Sequence, residues 1–196
     1  MDLNCINTEL KSGNEKLIFN GKNIDFSLLD FWKWSVSDIL SNATRGKLAE
    51  FIVATALDID LKIPRNEWQA YDLITKNKIK LEIKSSAYLQ SWFQKKYSNI
   101  IFSIKESKEW DSKTNMLSKE SKRQADVYVF CFLNHKDKKT VNPLDLNQWE
   151  FYILSTKEVN NYKRSKLSIN LESLKKLTNP IDYENIKNEI DKKALI

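Results

Sequence analysis

Glu82 and Lys84 stand two residues apart in Ile79-Lys80-Leu81-Glu82-Ile83-Lys84-Ser85, where apolar and polar residues alternate. That period of two predicts a strand over 79–85 with one buried face, and it puts Glu82 and Lys84 on the same side. A second extended run, Tyr71 to Thr75, precedes it across Lys76-Asn77-Lys78. If those three residues form the loop, 75 pairs with 79, 73 with 81 and 72 with 82, so that Asp72 faces Glu82. A two-residue turn would shift the register by one and lose that opposition. Like charges directly across a strand pair destabilise it, and at roughly 5 Å between Cβ atoms two carboxylates form a hard-oxygen site that a divalent cation would neutralise. The plain alternative is an amphipathic edge with a solvated charged face.

A third carboxylate comes from upstream. Asn42 or Thr44 can cap a helix running to about Leu57, and from Leu48 it reads Leu-Ala-Glu-Phe-Ile-Val-Ala-Thr-Ala-Leu, apolar nearly all round. Glu50 is the only charge in that run and shares a face with Val53, Ala54 and Leu57. A carboxylate there is costly unless paired, protonated or near a metal. Arg45 or a lysine from the sheet is the ordinary partner to expect.

The remaining elements must hold these residues in place. Phe26 to Leu40 patterns as a helix, with Phe31, Trp32 and Trp34 expected to anchor it to the core. Ala87 to Lys96 reads as looped or helical. Strands are predicted at Ile100–Ile104, Asp126–Leu133 and Trp149–Leu154, and helices at 156–162, at 171–177 and after Pro180. This order predicts an α/β fold with a mixed central β-sheet flanked by helices. Residues 1–25 read as an N-terminal arm or a short irregular lead-in, punctuated by Gly13 and Gly21, and 26–196 as a single domain.

Scarcity excludes several chemistries. Three glycines, none in a phosphate-cradling pattern, argue against P-loop and Rossmann nucleotide binding. One histidine, His135, lies in a polar run, which leaves no His pair for zinc hydrolysis. Cys5 and Cys131 supply neither a disulfide framework nor the paired spacing of a zinc site. The 196 residues hold 32 Lys and Arg against 26 Asp and Glu, a net charge of +6 that permits nucleic-acid binding without requiring it. No run approaches the roughly 20 apolar residues of a membrane span, and Met1-Asp2-Leu3-Asn4-Cys5 has no signal-peptide pattern. A cytoplasmic protein without membrane partners is expected.

Asp72, then Glu82-Ile83-Lys84, with Glu50 on a preceding helix, resembles the PD-(D/E)XK superfamily of restriction-endonuclease-like nucleases. Arg45-Gly46-Lys47-Leu48-Ala49-Glu50 resembles the helix that supplies an extra acid in many members, and Leu89-Gln90-Ser91-Trp92 and Gln124 to Phe130 are similar to an uncharacterised bacterial group. The resemblance covers about residues 42–133 and departs from the pattern at Tyr71, where a proline would stand. It implies a restriction-endonuclease-like core and a Mg²⁺-dependent endonuclease acting on DNA, with Mn²⁺ able to substitute. Asp72, Glu82 and the Ile83 carbonyl would bind the metal, Lys84 would orient the attacking water, and Glu50 would hold a second metal or steer Lys84. The product implied is a 5′-phosphate and a 3′-hydroxyl, and the setting restriction, defence or repair. Double-strand cleavage would call for two active sites and hence a homodimer.

Residues 93–123 hold eight Lys and Arg against four acids, with Trp92, Phe93, Tyr97 and Trp110 interleaved. Such a segment can follow phosphates. Lys95, Lys96, Arg123 and Gln124 are its candidate nucleic-acid contacts, and the alternative is a solvated surface. Two other readings stand beside the nuclease: a catalytically unused nuclease-like DNA-binding or assembly module, and an α/β interaction domain that binds neither metal nor DNA.

Overall fold

The computed structural model describes residues 3–4, 6–111 and 114–195, so the readings of Cys5 and of the first two residues fall outside the described residues. In chain order the elements are β1 (Lys16–Phe19), β2 (Lys22–Ser27), α1 (Leu28–Val36), α2 (Asn42–Ala56), β3 (Leu73–Ile74), β4 (Lys80–Ala87), β5 (Ile101–Ser103), β6 (Trp110–Asp111), β7 (Met116–Leu117) and β8 (Val127–Leu133). They continue with β9 (Trp149–Ser155), α3 (Thr156–Asn161), β10 (Ser168–Asn170), α4 (Leu171–Lys175) and α5 (Ile186–Ala194).

The central sheet has the order β3-β4-β8-β9, with β4 and β8 parallel and the other pairs antiparallel. It is the mixed sheet flanked by helices that the order of elements predicts. β8 is buried along its whole length because both of its faces are covered. Its odd-numbered residues Val127, Val129 and Cys131 pack with Leu81 and Ile83 of β4 against Ala49, Ile52 and Val53 of α2 and against Ile186 and Ile190 of α5. Its even-numbered residues Tyr128, Phe130 and Phe132 pack with Phe102, Ile169 and Leu174 from β5, β10 and α4. The chain leaves β4 for the β5–β7 excursion and returns parallel to it in β8. Among the described residues no helix is long and apolar enough to cross a membrane.

Three expectations are corrected. The N-terminal lead-in is not irregular: β1 and β2 form an antiparallel hairpin whose turn has Asn20 and Gly21 at φ of 50° and 73°, the left-handed pair that closes a tight hairpin. Gly13, at φ 91°, lets the preceding chain lie on Trp32, whose ring would come within 3.0 Å of an added Cβ. The helix after the hairpin is α1, closed by a reciprocal Ser27–Asp30 capping box, but none of its residues is buried. Phe31 and Trp34 point to solvent instead of anchoring the helix to the sheet. The cap of α2 is Ser41, ahead of both expected candidates, Asn42 and Thr44.

Candidate active site

The hairpin adopts the three-residue register. Leu73 pairs with Leu81 and Ile74 with Lys80, the Thr75 N–H donates to the Ile79 carbonyl at 2.9 Å, and Lys78 takes φ 66° to close the loop. Asp72 stands immediately ahead of β3, where the ladder ends. Its N–H reaches the Leu81 carbonyl at 2.9 Å, and its carboxylate Oδ2 accepts from the Ile83 N–H at 2.7 Å. That side-chain bond replaces a ladder bond and fixes Asp72 beside Glu82. The N–H and C=O of one residue leave a strand on the same side, so the Ile83 carbonyl also faces the gap beyond β3.

Glu82 and Lys84 follow on one face of β4, both half-buried, and the Lys84 ammonium donates to Glu82 Oε1. Glu50 arrives from α2, whose apolar side is held on the sheet by Ala49, Ile52 and Val53. Asp72, Glu82, Lys84 and Glu50 are therefore brought together from three stretches of chain. Burial pushes the Glu50 carboxyl above its ordinary value, and the Asp72 charge adds to this against the pull of Arg65. Burial likewise raises Glu82, with Asp72 and Glu50 adding to it and Lys84 opposing. The charges of Asp72, Glu82 and Glu50 thus act on one another at a partly dehydrated site.

Arg65 is the residue that sequence reasoning missed. Its guanidinium grips Glu50 through Nε and, at 2.9 Å, through Nη2, and Nη2 lies 3.9 Å from Asp72 Oδ1. Nη1 lies 3.3 Å from Glu67, which Lys47 also meets at 2.8 Å. Arg45, the expected partner of Glu50, turns the other way. It is 2% exposed and donates to Leu40 O, Asn42 Oδ1, Ser85 Oγ and Gln90 Oε1, with its pKa lowered to about 10 by burial. A usable signal did exist. The sequence has only four arginines among its 32 basic residues, and a rigid planar fork is chosen over lysine where carboxylates are gripped bidentately.

The other candidates separate. Gln124 lines a cleft of about 400 Å³ beside the start of β4, with Lys80, Lys122, Asp126 and Lys157, and donates to the Ser107 carbonyl at 3.0 Å. Arg123 borders the same cleft, yet its guanidinium is directed inward to Ile104 O, Glu106, Asn160 and Lys166 O. Lys95 and Lys96 are exposed in the loop after β4. That loop is tied to the segment leaving β8 by Lys138 to Trp92 O and Tyr97 to Lys136 O, at the opposite end of the sheet from Lys80. His135 bonds Thr140 in the loop between β8 and β9, and Cys131 is buried.

Among the described residues no group of three or more His, Cys, Asp and Glu side chains converges closely enough, as they stand, to hold a metal ion. Glu50 is paired with Arg65 and Glu82 with Lys84 instead. The donors nevertheless suit a hard divalent cation: two carboxylates and a strand carbonyl at an open edge are the few protein oxygens Mg²⁺ takes while keeping waters.

No curated protein and no solved structure matches this chain. The family model described as bacteriophage T4 endonuclease IV matches residues 21–172, more than three quarters of the sequence and the whole stretch from Glu50 to Gln124. The chain therefore belongs to the bacteriophage T4 endonuclease IV family, a family of endonucleases.

Proposed function

We propose that this protein is a Mg²⁺-dependent endonuclease of the PD-(D/E)XK type that hydrolyses phosphodiester bonds in DNA, in the cytoplasm, for restriction, defence or repair. The observation that carries the reading is the convergence of Asp72, Glu82 and Lys84 at the open end of one hairpin, inside a segment matched by an endonuclease family.

Asp72, Glu82 and the Ile83 carbonyl would hold Mg²⁺, with Mn²⁺ an acceptable substitute, and Glu50 would face a second ion or Lys84. The bound ion supplies Lewis-acid polarisation of the phosphate and a more acidic water. Lys84, once freed from Glu82, orients the attacking water and offsets the charge that grows on the phosphoryl oxygens. The water oxygen bonds to phosphorus, the bond to the 3′ oxygen breaks, and that oxygen takes up a proton, leaving a 5′-phosphate and a 3′-hydroxyl. Asp72, pinned by the Ile83 N–H, keeps its orientation without cost at the moment of reaction. The cleft lined by Lys80 and Lys122 adjoins the hairpin at Lys80 and offers cations along which a phosphate backbone can lie.

Cleavage of plasmid, linear duplex, branched and single-stranded DNA with Mg²⁺, Mn²⁺ or EDTA tests this directly, beside Asp72→Asn and Lys84→Ala. Metal-dependent cutting that both substitutions abolish is the expected result. Metal titration by calorimetry with no heat for the wild type, together with no cutting of any substrate, would end the reading.

A further inference from the structure

The segment ahead of α2 is a folded unit with too little to fold onto. β1, β2 and α1 are joined by bonds of their own: the Leu28 N–H donates to Glu15 O at 2.8 Å, Leu29 to Gly13 O at 2.9 Å, and Glu15 closes the turn at Ser12 and Gly13. In that unit Phe19 is 69% exposed, Phe26 62%, Phe31 51% and Trp34 84%. An isolated two-stranded hairpin is at best marginally stable in water, and exposed apolar surface on this scale marks an interface.

We infer that this hairpin–helix arm is a homodimerisation surface and that its occupant is the same arm of a second copy of the chain. Area supports this: at about 200 Å² per aromatic side chain, those four expose roughly 500 Å². Ile24, on the Phe19 and Phe26 side of the hairpin, and Leu29 and Val36 of α1 carry the total toward the about 800 Å² that each partner of a standard interface buries. Charge points to a like partner. Residues 3–37 hold Glu9, Glu15, Asp25 and Asp30 against Lys11, Lys16, Lys22 and Lys33, and so balance to zero within a chain of net +6. A neutral apolar face meets its own copy without repulsion and has little to offer a phosphate backbone. Geometry points the same way, because the two-stranded sheet leaves an outer edge on each strand. A two-fold axis can join the same edge of two copies and extend the sheet. The inference does not depend on the nuclease reading, since the arm contributes nothing to the acid cluster or the cleft.

Sedimentation velocity of the full chain from about 1 to about 100 μM, where micromolar affinities are read, should show a species of twice the 23.0 kDa chain mass. Trp34→Glu combined with Phe31→Glu should weaken the dimer at least about 100-fold, as losing buried aromatic anchors does. Phe19→Asp should do the same from the hairpin side, with the far-UV circular dichroism unchanged in both variants. Hydrogen exchange reads the surface with no substitution: amides of residues 16–36 should slow as concentration rises. A wild-type monomer across the range overturns the inference in favour of a different partner. A dimer that survives both variants, or arm amides insensitive to concentration, overturns it in favour of an interface elsewhere.

Discussion

Glu82 and Glu158 are carboxylates of similar exposure, 22% and 29% at the side chain, at positions supported by the same sheet. Their acidities move in opposite directions. Burial works against the charge of both. Glu158 nevertheless ends below its ordinary value, because the Lys193 ammonium meets Oε1 at 2.6 Å and the Ser155 N–H and hydroxyl meet Oε2. Among the described residues Glu82 pairs with Lys84, and Asp72 and Glu50 repel it. The first region is complete: a capping box at the start of α3, locked by a lysine from α5. The second keeps its carboxylates under mutual repulsion, which the proposed cation would relieve.

The largest effect expected from that contrast is on turnover. Asp72→Asn or Glu82→Gln should lower cleavage by at least about 100-fold, the scale of losing a transition-state contact, while leaving the melting temperature without metal unchanged or raised, since a repelling charge is gone. Glu158→Gln should do the reverse, leaving cleavage intact and costing about 1 kcal/mol through the lost cap and ion pair. Paired cleavage assays and melting curves check both, and a Glu158 variant that lost activity would break the contrast.

Arg65→Ala sharpens it. Glu50 would lose its bidentate partner beside Asp72, so metal-free stability should fall by about 1 kcal/mol, and this partly exposed pair warrants no larger figure. Added Mg²⁺ should recover most of that loss, because an ion that binds only the folded state stabilises it by mass action. Thermal melts with and without Mg²⁺ measure the difference, and equal losses in both would show that Arg65 is merely structural.

The smallest effect is in pH. Glu50 and Glu82, raised by burial, cost stability fully only above their folded values, and that cost disappears as pH falls through those values toward the ordinary 4.5. Glu158 behaves oppositely, since its contribution is complete above 4.5 and is lost as pH falls through its lowered value. Metal-free melts between neutrality and pH about 4.5 should therefore show Glu82→Gln losing part of the stabilisation that the wild type gains on acidification. Glu158→Gln should differ only in the more acid range. Parallel profiles for all three proteins would count against the contrast.

Local pattern made much of this legible. Alternation in 79–85 and the loop Lys76-Asn77-Lys78 set the register that the hairpin adopts, and the apolar run around Glu50 foretold a buried acid. The core strands β8 and β9 were equally plain, because burial on both faces demands nearly continuous apolar runs, interrupted in β9 by the half-buried Glu150. Arg65 was not legible. It sits in a polar loop whose position is set by packing rather than by periodicity, and Trp68 of that loop meets Trp110 at 5.3 Å, from an excursion far along the chain. The arm misled for the converse reason. Phe31 and Trp34 have core composition, and composition says that a side chain will be buried but not in which molecule.

By itself, then, the sequence determined which residues carry charge on one strand face, which acid a buried helix must present, and which chemistries lack their residues. Those are properties of spacing within a few residues, and backbone geometry converts them directly into direction. Only the tertiary structure decided that Arg65 rather than Arg45 grips Glu50, that Arg123 faces inward, and that the aromatic arm stays outside the core. Each of these is a competition between partners distant in the chain, settled by which groups the packed sheet brings within hydrogen-bond reach and which it leaves in water.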